Sequence, residues 1–145
     1  MYVCSGYLLF SLQCITVYSI LDFTERRPRY TIDLGSSTYA SNSYDSWKEE
    51  YTFTVEQGCR FYLQFNLTAS PFPTRADLYK DGRLVESTRN GTIFVGIDRV
   101  GIQSVDRREY AGSYRLVSSN DAGCGEISFH LKVQRKINQS LRMLG

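Results

Sequence analysis

From Lys48 to Gln134 the hydrophobic positions recur on every second residue in short runs, the period of a half-buried β-strand. Tyr51, Phe53 and Val55 alternate, and Glu56-Gln57-Gly58 reads as a turn. Cys59, Phe61, Leu63, Phe65 and Leu67 then alternate without a break. Pro71 and Pro73 interrupt the chain as a loop, and a short strand around Ala76 to Tyr79 ends at the hairpin-type dipeptide Asp81-Gly82. Leu84-Val85 restarts an extended segment before Arg89-Asn90-Gly91 turns again. Ile93, Val95 and Ile97 follow, then Val100 and Ile102. The segment 109–123 reads as a turn, a strand and a second turn. The closing strand sets Ile127, Phe129, Leu131 and Val133 on one face and Ser128, His130 and Lys132 on the other. About seven strands with turns every 8–12 residues or so predict an all-β sandwich of two antiparallel sheets.

The pattern divides the rest of the chain. Residues 1–23 form an apolar N-terminal extension, uncharged from Met1 to Leu21, with Tyr7-Leu8-Leu9-Phe10 in its middle. Its length suits a signal peptide or anchor, although it lacks a basic n-region. Any membrane association would have to run through these residues. Residues 24–47 are polar, rich in Ser, Arg and Tyr, and predicted as a flexible linker. The domain spans 48–134, and 135–145 is a basic tail.

Composition narrows the function. At 145 residues the chain suits one domain plus extensions, and a net charge of +2 gives no electrostatic footprint for nucleic acid. Eleven Tyr and eight Phe favour pleated, half-buried surfaces. The single His cannot build a multi-histidine metal site. There is no Cys-x-x-Cys, phosphate-binding Gly-rich loop or Gly-x-Ser-x-Gly, so no catalytic residue, cofactor or metal ligand is assigned. Asp106-Arg107-Arg108-Glu109 and Arg26-Arg27-Pro28-Arg29 read as solvated charge clusters.

Ala69-Ser70-Pro71-Phe72-Pro73-Thr74 followed by Leu78-Tyr79-Lys80-Asp81-Gly82, and later Ala111-Gly112-Ser113-Tyr114, resemble an immunoglobulin-like domain of the I-set. The first stretch is similar to its B–C region. The second is similar to the corner in which a Tyr hydroxyl bonds upstream backbone. Tyr110 stands where the family has Asp, and Leu78 where it has the core Trp. The two disulfide positions correspond to Phe65 and Leu116, so the expected structural core is Phe65, Leu78, Tyr114 and Leu116. Cys59 and Cys124 have nearly the family's separation but not its positions. Cys59 lies six residues before Phe65. That puts it roughly 20 Å along the strand from the bridge site, and a disulfide needs Cα atoms within about 7 Å. No disulfide is expected unless Cys4 or Cys14 pairs elsewhere, and Cys59 falls in the inward register as a small hydrophobe.

Domains of this family bind and connect. The bridge-free pattern Tyr114-x-Leu116-x-x-x-Asn120-x-x-Gly123 resembles the intracellular domains of giant muscle proteins of the titin, twitchin and obscurin type. The resemblance implies a non-enzymatic scaffold or spacer, cytoplasmic and sarcomere-like. Its partners would be other proteins: neighbouring immunoglobulin or fibronectin-type domains, or cytoskeletal proteins. Phe72, Asn120 and His130 are the candidate partner-binding residues, on the end loops and on the last strand as an open edge. The alternative is a secreted or cell-surface adhesion or receptor protein, to which the sequons at Asn66, Asn90 and Asn138 point.

Overall fold

The computed structural model describes residues 25–136, and the backbone of 3–4 and 7–8. The expected signal or anchor in 1–23 otherwise lies outside the described residues. Near the N-terminus β1 (Val3–Cys4) pairs antiparallel with β2 (Tyr7–Leu8). The sandwich is built from β3 (Arg26–Thr38), β4 (Ser41–Asp45), β5 (Glu50–Glu56), β6 (Phe61–Ser70), β7 (Ala76–Lys80), β8 (Arg83–Val85), β9 (Ile93–Val95), β10 (Arg99–Ile102), β11 (Gly112–Asn120) and β12 (Gly123–Gln134). A single helical turn, α1 (Arg107–Tyr110), precedes β11. One sheet has the order β3-β6-β10-β9 and the other β4-β5-β12-β11-β7-β8. This is an immunoglobulin-like β-sandwich.

Two expectations are corrected. Residues 24–47 are not a linker, because most of them form β3 and β4. Along β3, Pro28, Tyr30, Ile32 and Leu34 point inward at every second position, buried or half-buried. Tyr30 lies opposite Leu67 and Ile32 opposite Phe65 on β6. The ladder then slips between Asp33 and Thr38. Ser37 patches the slip: its hydroxyl donates to the Asp33 carbonyl (2.8 Å) and accepts from the Gln64 amide (3.0 Å). The second correction concerns strand direction. β5 runs parallel to β12, with Tyr51 opposite Phe129 and Phe53 opposite Leu131, so the sheets are not wholly antiparallel.

The chain path explains the parallel pair. β3 descends in the four-stranded sheet from the end that carries the β11–β12 turn, called the upper end below. It crosses to the other sheet at Ala40, whose amide bonds the Thr54 carbonyl (2.8 Å). β4 climbs back along the outer edge, and β5 descends a second time.

The core is the inward face of the alternating runs. Phe61, Leu63 and Phe65 of β6 are buried, as are Tyr114 and Leu116 of β11 and Phe129, Leu131 and Val133 of β12. Leu116 has no exposed surface and lies directly opposite Leu78, which is also buried. The Phe129 ring meets four others: Tyr114 (5.2 Å, stacked), Phe61 (6.1 Å), Phe65 (6.2 Å) and Phe53 (6.2 Å). Two of these partners come from each sheet. Above this cluster β3 lies directly on β12, and a Cβ at Gly125 would sit 1.9 Å from the Pro28 carbonyl oxygen. Only glycine allows that approach.

Cys59 is also corrected. It is exposed, because the turn begun at Glu56 continues through it (Cys59 amide to Glu56 carbonyl, 3.0 Å) and β6 starts only at Phe61. Cys124 is likewise exposed, and both thiols are free.

Leu116→Ala removes a fully buried side chain from the site where the family carries its bridge. The expected cost in urea unfolding is about 2–5 kcal/mol. A loss below about 1 kcal/mol would mean that Leu116 does not fill that site.

Candidate partner-binding surface

The lower end of the sandwich is closed by hydrogen bonds. The Tyr114 hydroxyl donates to the Tyr110 carbonyl across α1, so the tyrosine corner forms with Tyr110 in the place of Asp. A carboxylate reaches the corner from elsewhere. Asp81, in the β7–β8 turn at φ 49°, donates its amide to the Ser113 carbonyl (2.8 Å) and accepts the Ser113 amide at Oδ1 (3.1 Å). The Ser113 amide, then Lys80, holds the Asp81 carboxyl below the usual carboxylate range. Gly112, at φ 154°, leaves room for it, since a Cβ there would meet Asp81 Oδ2 at 2.6 Å. Burial pushes the phenols of Tyr114, Tyr110 and Tyr30 above their ordinary value.

Among the residues singled out from sequence, Phe65, Leu78, Tyr114 and Leu116 all lie in the core. Phe72 stands 56% exposed in the upper loop between β6 and β7. Asn120 is not available to a partner. Its Nδ2 donates to the Arg26 carbonyl (2.6 Å) and the Pro71 carbonyl (2.8 Å), and its Oδ1 accepts the Ala122 amide (2.9 Å). It ties the start of β3 and the Pro71 loop to the β11–β12 turn. His130 is also engaged internally: its Nδ1 is 2.8 Å from Ser113 Oγ. The last strand is not an edge, because β12 lies between β5 and β11. What covers His130 is the parallel pairing of β5 with β12, which sets it opposite Thr52.

The edge on this side of the sheet is β4, all five of whose residues are exposed. Between β4 and β5, Asp45 Oδ1 accepts the amides of Trp47 (2.9 Å) and Lys48 (3.3 Å), forming a side-chain-capped turn. Trp47 projects from it 96% exposed. Below it, the rings of Tyr44 and Tyr51 meet at 4.8 Å. Sequence reading passed over Trp47. Its signal was a lone Trp in a polar stretch, with Asp45 before it and Lys48-Glu49-Glu50 after it. On the opposite flank, exposed Leu84 borders a slot of about 230 Å³ walled by Val85, Ile93 and Ile102, and Phe94 is also exposed. Of the sequons, Asn66 and Asn90 are exposed, and Asn138 lies outside the described residues. The Asn90 Oδ1 accepts from the Thr92 amide (3.1 Å) and hydroxyl (2.8 Å).

Among the described residues, no three His, Cys, Asp or Glu side chains gather as a metal site. What this surface offers chemically is an unpaired strand edge and exposed aromatic rings, the means of protein recognition.

No family model matches the sequence, and no curated protein matches it. Solved structures do. Titin domain M4 is 16% identical with a TM-score of 0.56, covering 77% of this chain and 99% of that one. The titin Z1Z2 pair, solved in complex with telethonin, is 21% identical with a TM-score of 0.53, covering 79% of this chain and 50% of that one. The four N-terminal immunoglobulin domains of Dscam1 isoform 4.44 are 20% identical with a TM-score of 0.51, covering 76% of this chain and 21% of that one. The chain thus spans about half of the Z1Z2 chain and a fifth of the Dscam1 chain. At these identities the likeness is one of fold.

The three raised phenols set an alkaline limit on stability. The folded state holds these protons more tightly than the unfolded chain, so their contribution is complete below the ordinary phenol value of 10.0 and is lost as pH rises above it. Urea melts should weaken above that pH. Tyr114→Phe should show a smaller alkaline loss, and at neutral pH should be about 1–3 kcal/mol less stable because the buried Tyr110 carbonyl loses its donor.

Proposed function

We propose that this chain is a non-catalytic, protein-binding immunoglobulin-like module. In this reading it acts as a scaffold or spacer of the giant-muscle-protein type, in a reducing compartment. The observation that carries the binding assignment is the β4 edge crowned by Trp47, 96% exposed. A partner strand adds to such an edge through backbone hydrogen bonds, while Trp47 supplies a large aromatic anchor. Phe72, exposed in the β6–β7 loop, offers a second aromatic contact away from that edge. The compartment is supported by the bridge positions. Phe65 and Leu116 fill them with packed side chains, so the domain does not need an oxidising environment to close its core. The titin pair solved with telethonin is a precedent for such a fold holding a protein partner. The partners that fit are neighbouring immunoglobulin or fibronectin-type domains, or cytoskeletal proteins.

A secreted or cell-surface adhesion role is the second reading. It is favoured by exposed Asn66 and Asn90 in their sequons.

Trp47→Ser should leave the urea midpoint unchanged, because the ring is solvated, and should weaken partner binding about ten-fold or more if Trp47 is a hot spot. Unchanged affinity for a purified partner would sink the assignment. Intact mass after expression in a eukaryotic cell separates the two compartments. An unshifted mass on glycosidase treatment, with Cys59 and Cys124 both alkylated, is expected for the scaffold. A glycosidase-sensitive mass is expected for the adhesion protein.

A further inference from the structure

At the lower end, opposite the proposed docking hairpin, the fold joins two basic pairs that are remote in sequence. A cleft of about 580 Å³ is lined by Gln57, Asp106, Arg107, Arg108, Arg135 and Lys136. Gln57 assembles it. Its amide donates to the Gln134 carbonyl (2.8 Å), fixing the end of β12 from which Arg135 and Lys136 continue. Its Nε2 donates to Asp106 Oδ1 (3.0 Å), and its Oε1 accepts the Arg107 amide (3.2 Å). One residue therefore brackets both basic pairs, its backbone holding the Arg135 side and its side chain the Arg107 side.

The charges are unbalanced. Arg75, Arg99 and Arg115 each face a carboxylate, on Asp77, Asp98 and Glu126. Among the described residues, no carboxylate forms a salt bridge with Arg107, Arg108, Arg135 or Lys136. The one acid in the cleft, Asp106, accepts from Gln57. Four cations held together with one acid repel each other until an anion enters. Arginine forks match the oxygens of sulfate and phosphate groups.

The walls select the kind of anion. None of the six lining residues is apolar. An acidic peptide would find no site here for the apolar anchors from which protein partners draw most of their affinity. A ligand polar over its whole surface fits better. We infer that this cleft binds a polyol carrying several sulfate or phosphate esters, with Arg107, Arg108, Arg135 and Lys136 on its oxyanions and Gln57 as a positioning residue. This inference is independent of the protein-binding role of the β4 edge.

Titration calorimetry on the full chain tests it with two probes, a heparin-derived hexasaccharide and inositol hexakisphosphate, at about 0.1 M salt and again at higher salt. Binding should weaken steeply with salt, and each paired variant, Arg107→Ser with Arg108→Ser or Arg135→Ser with Lys136→Ser, should lose about ten-fold or more in affinity. Gln57→Ala leaves the net charge unchanged and should also weaken binding, which distinguishes an assembled site from general basicity. Arg75→Ser, at the upper end, should bind as the unaltered chain does. Binding of the hexasaccharide alone identifies a sulfated glycan as the source, and binding of inositol hexakisphosphate alone identifies a phosphorylated headgroup; both support the site. Failure of both probes to bind, or unchanged affinity in both paired variants, would overturn it. Thermal unfolding of each variant establishes that a lost signal is not a lost fold.

Discussion

Phe129 is the point through which the two sheets hold each other. It stands on β12, which is hydrogen-bonded to β11 on one side and β5 on the other. Its ring meets Tyr114 and Phe53 within its own sheet and Phe61 and Phe65 across the interface. Each such aromatic pair contributes about 0.5–1.5 kcal/mol beyond the burial of its area. A covalent bridge in a domain of this size is worth about 2–4 kcal/mol, largely through the unfolded chain. Ring contacts of this number are therefore comparable in size, and they act in the folded state. With Phe65 and Leu116 buried between the sheets, the core of the described residues closes by shape.

The other organising feature is the route of the chain at the sandwich's edge. Two descending strands, β3 and β5, are needed to close both sheets, and β4 is the return between them. Its cost is an unpaired edge. Proteins commonly blunt such edges with proline, lysine or bulges. β4, with the sequence Ser-Asn-Ser-Tyr-Asp, has none of these. The same route encloses β12, which takes His130 out of the edge and pairs it with Ser113. The ends of the sandwich differ as a result. The upper end carries solvated aromatic rings beside an open strand, and the lower end carries an arginine cleft held by Gln57. A module with two chemically distinct ends can engage two different partners without competition between them.

The alternation in β6 and β12, the turn dipeptides and the tyrosine corner were all legible along the chain. Each depends on residues within about ten positions of one another, where periodicity and turn chemistry act directly. The core residues Phe65, Leu78, Tyr114 and Leu116 were legible through the resemblance to the I-set, and Phe65 through the alternation of β6 as well. β3 was legible in part. Tyr30, Ile32 and Leu34 keep the period, but Asp33, the glycine at 35 and the serines after it hide it, and the ladder slips there. An edge strand buries only part of one face, so its pattern is weak even when its pairing is firm.

Everything decided by which strand lies beside which was invisible in one dimension. The parallel pairing of β5 with β12 depends on a crossing at Ala40 that no local pattern announces. The exposure of Cys59 depends on a turn one residue longer than the alternation implied. Asn120 became a staple because Arg26 and Pro71, far apart in sequence, bring their carbonyls to it. Arg107 and Arg135 share a cleft only because Gln57 reaches both segments. Local chemistry specifies strands, turns and inward faces, because those are properties of neighbouring residues. Edges, clefts and shared hydrogen bonds are properties of packing, and only the folded chain contains them.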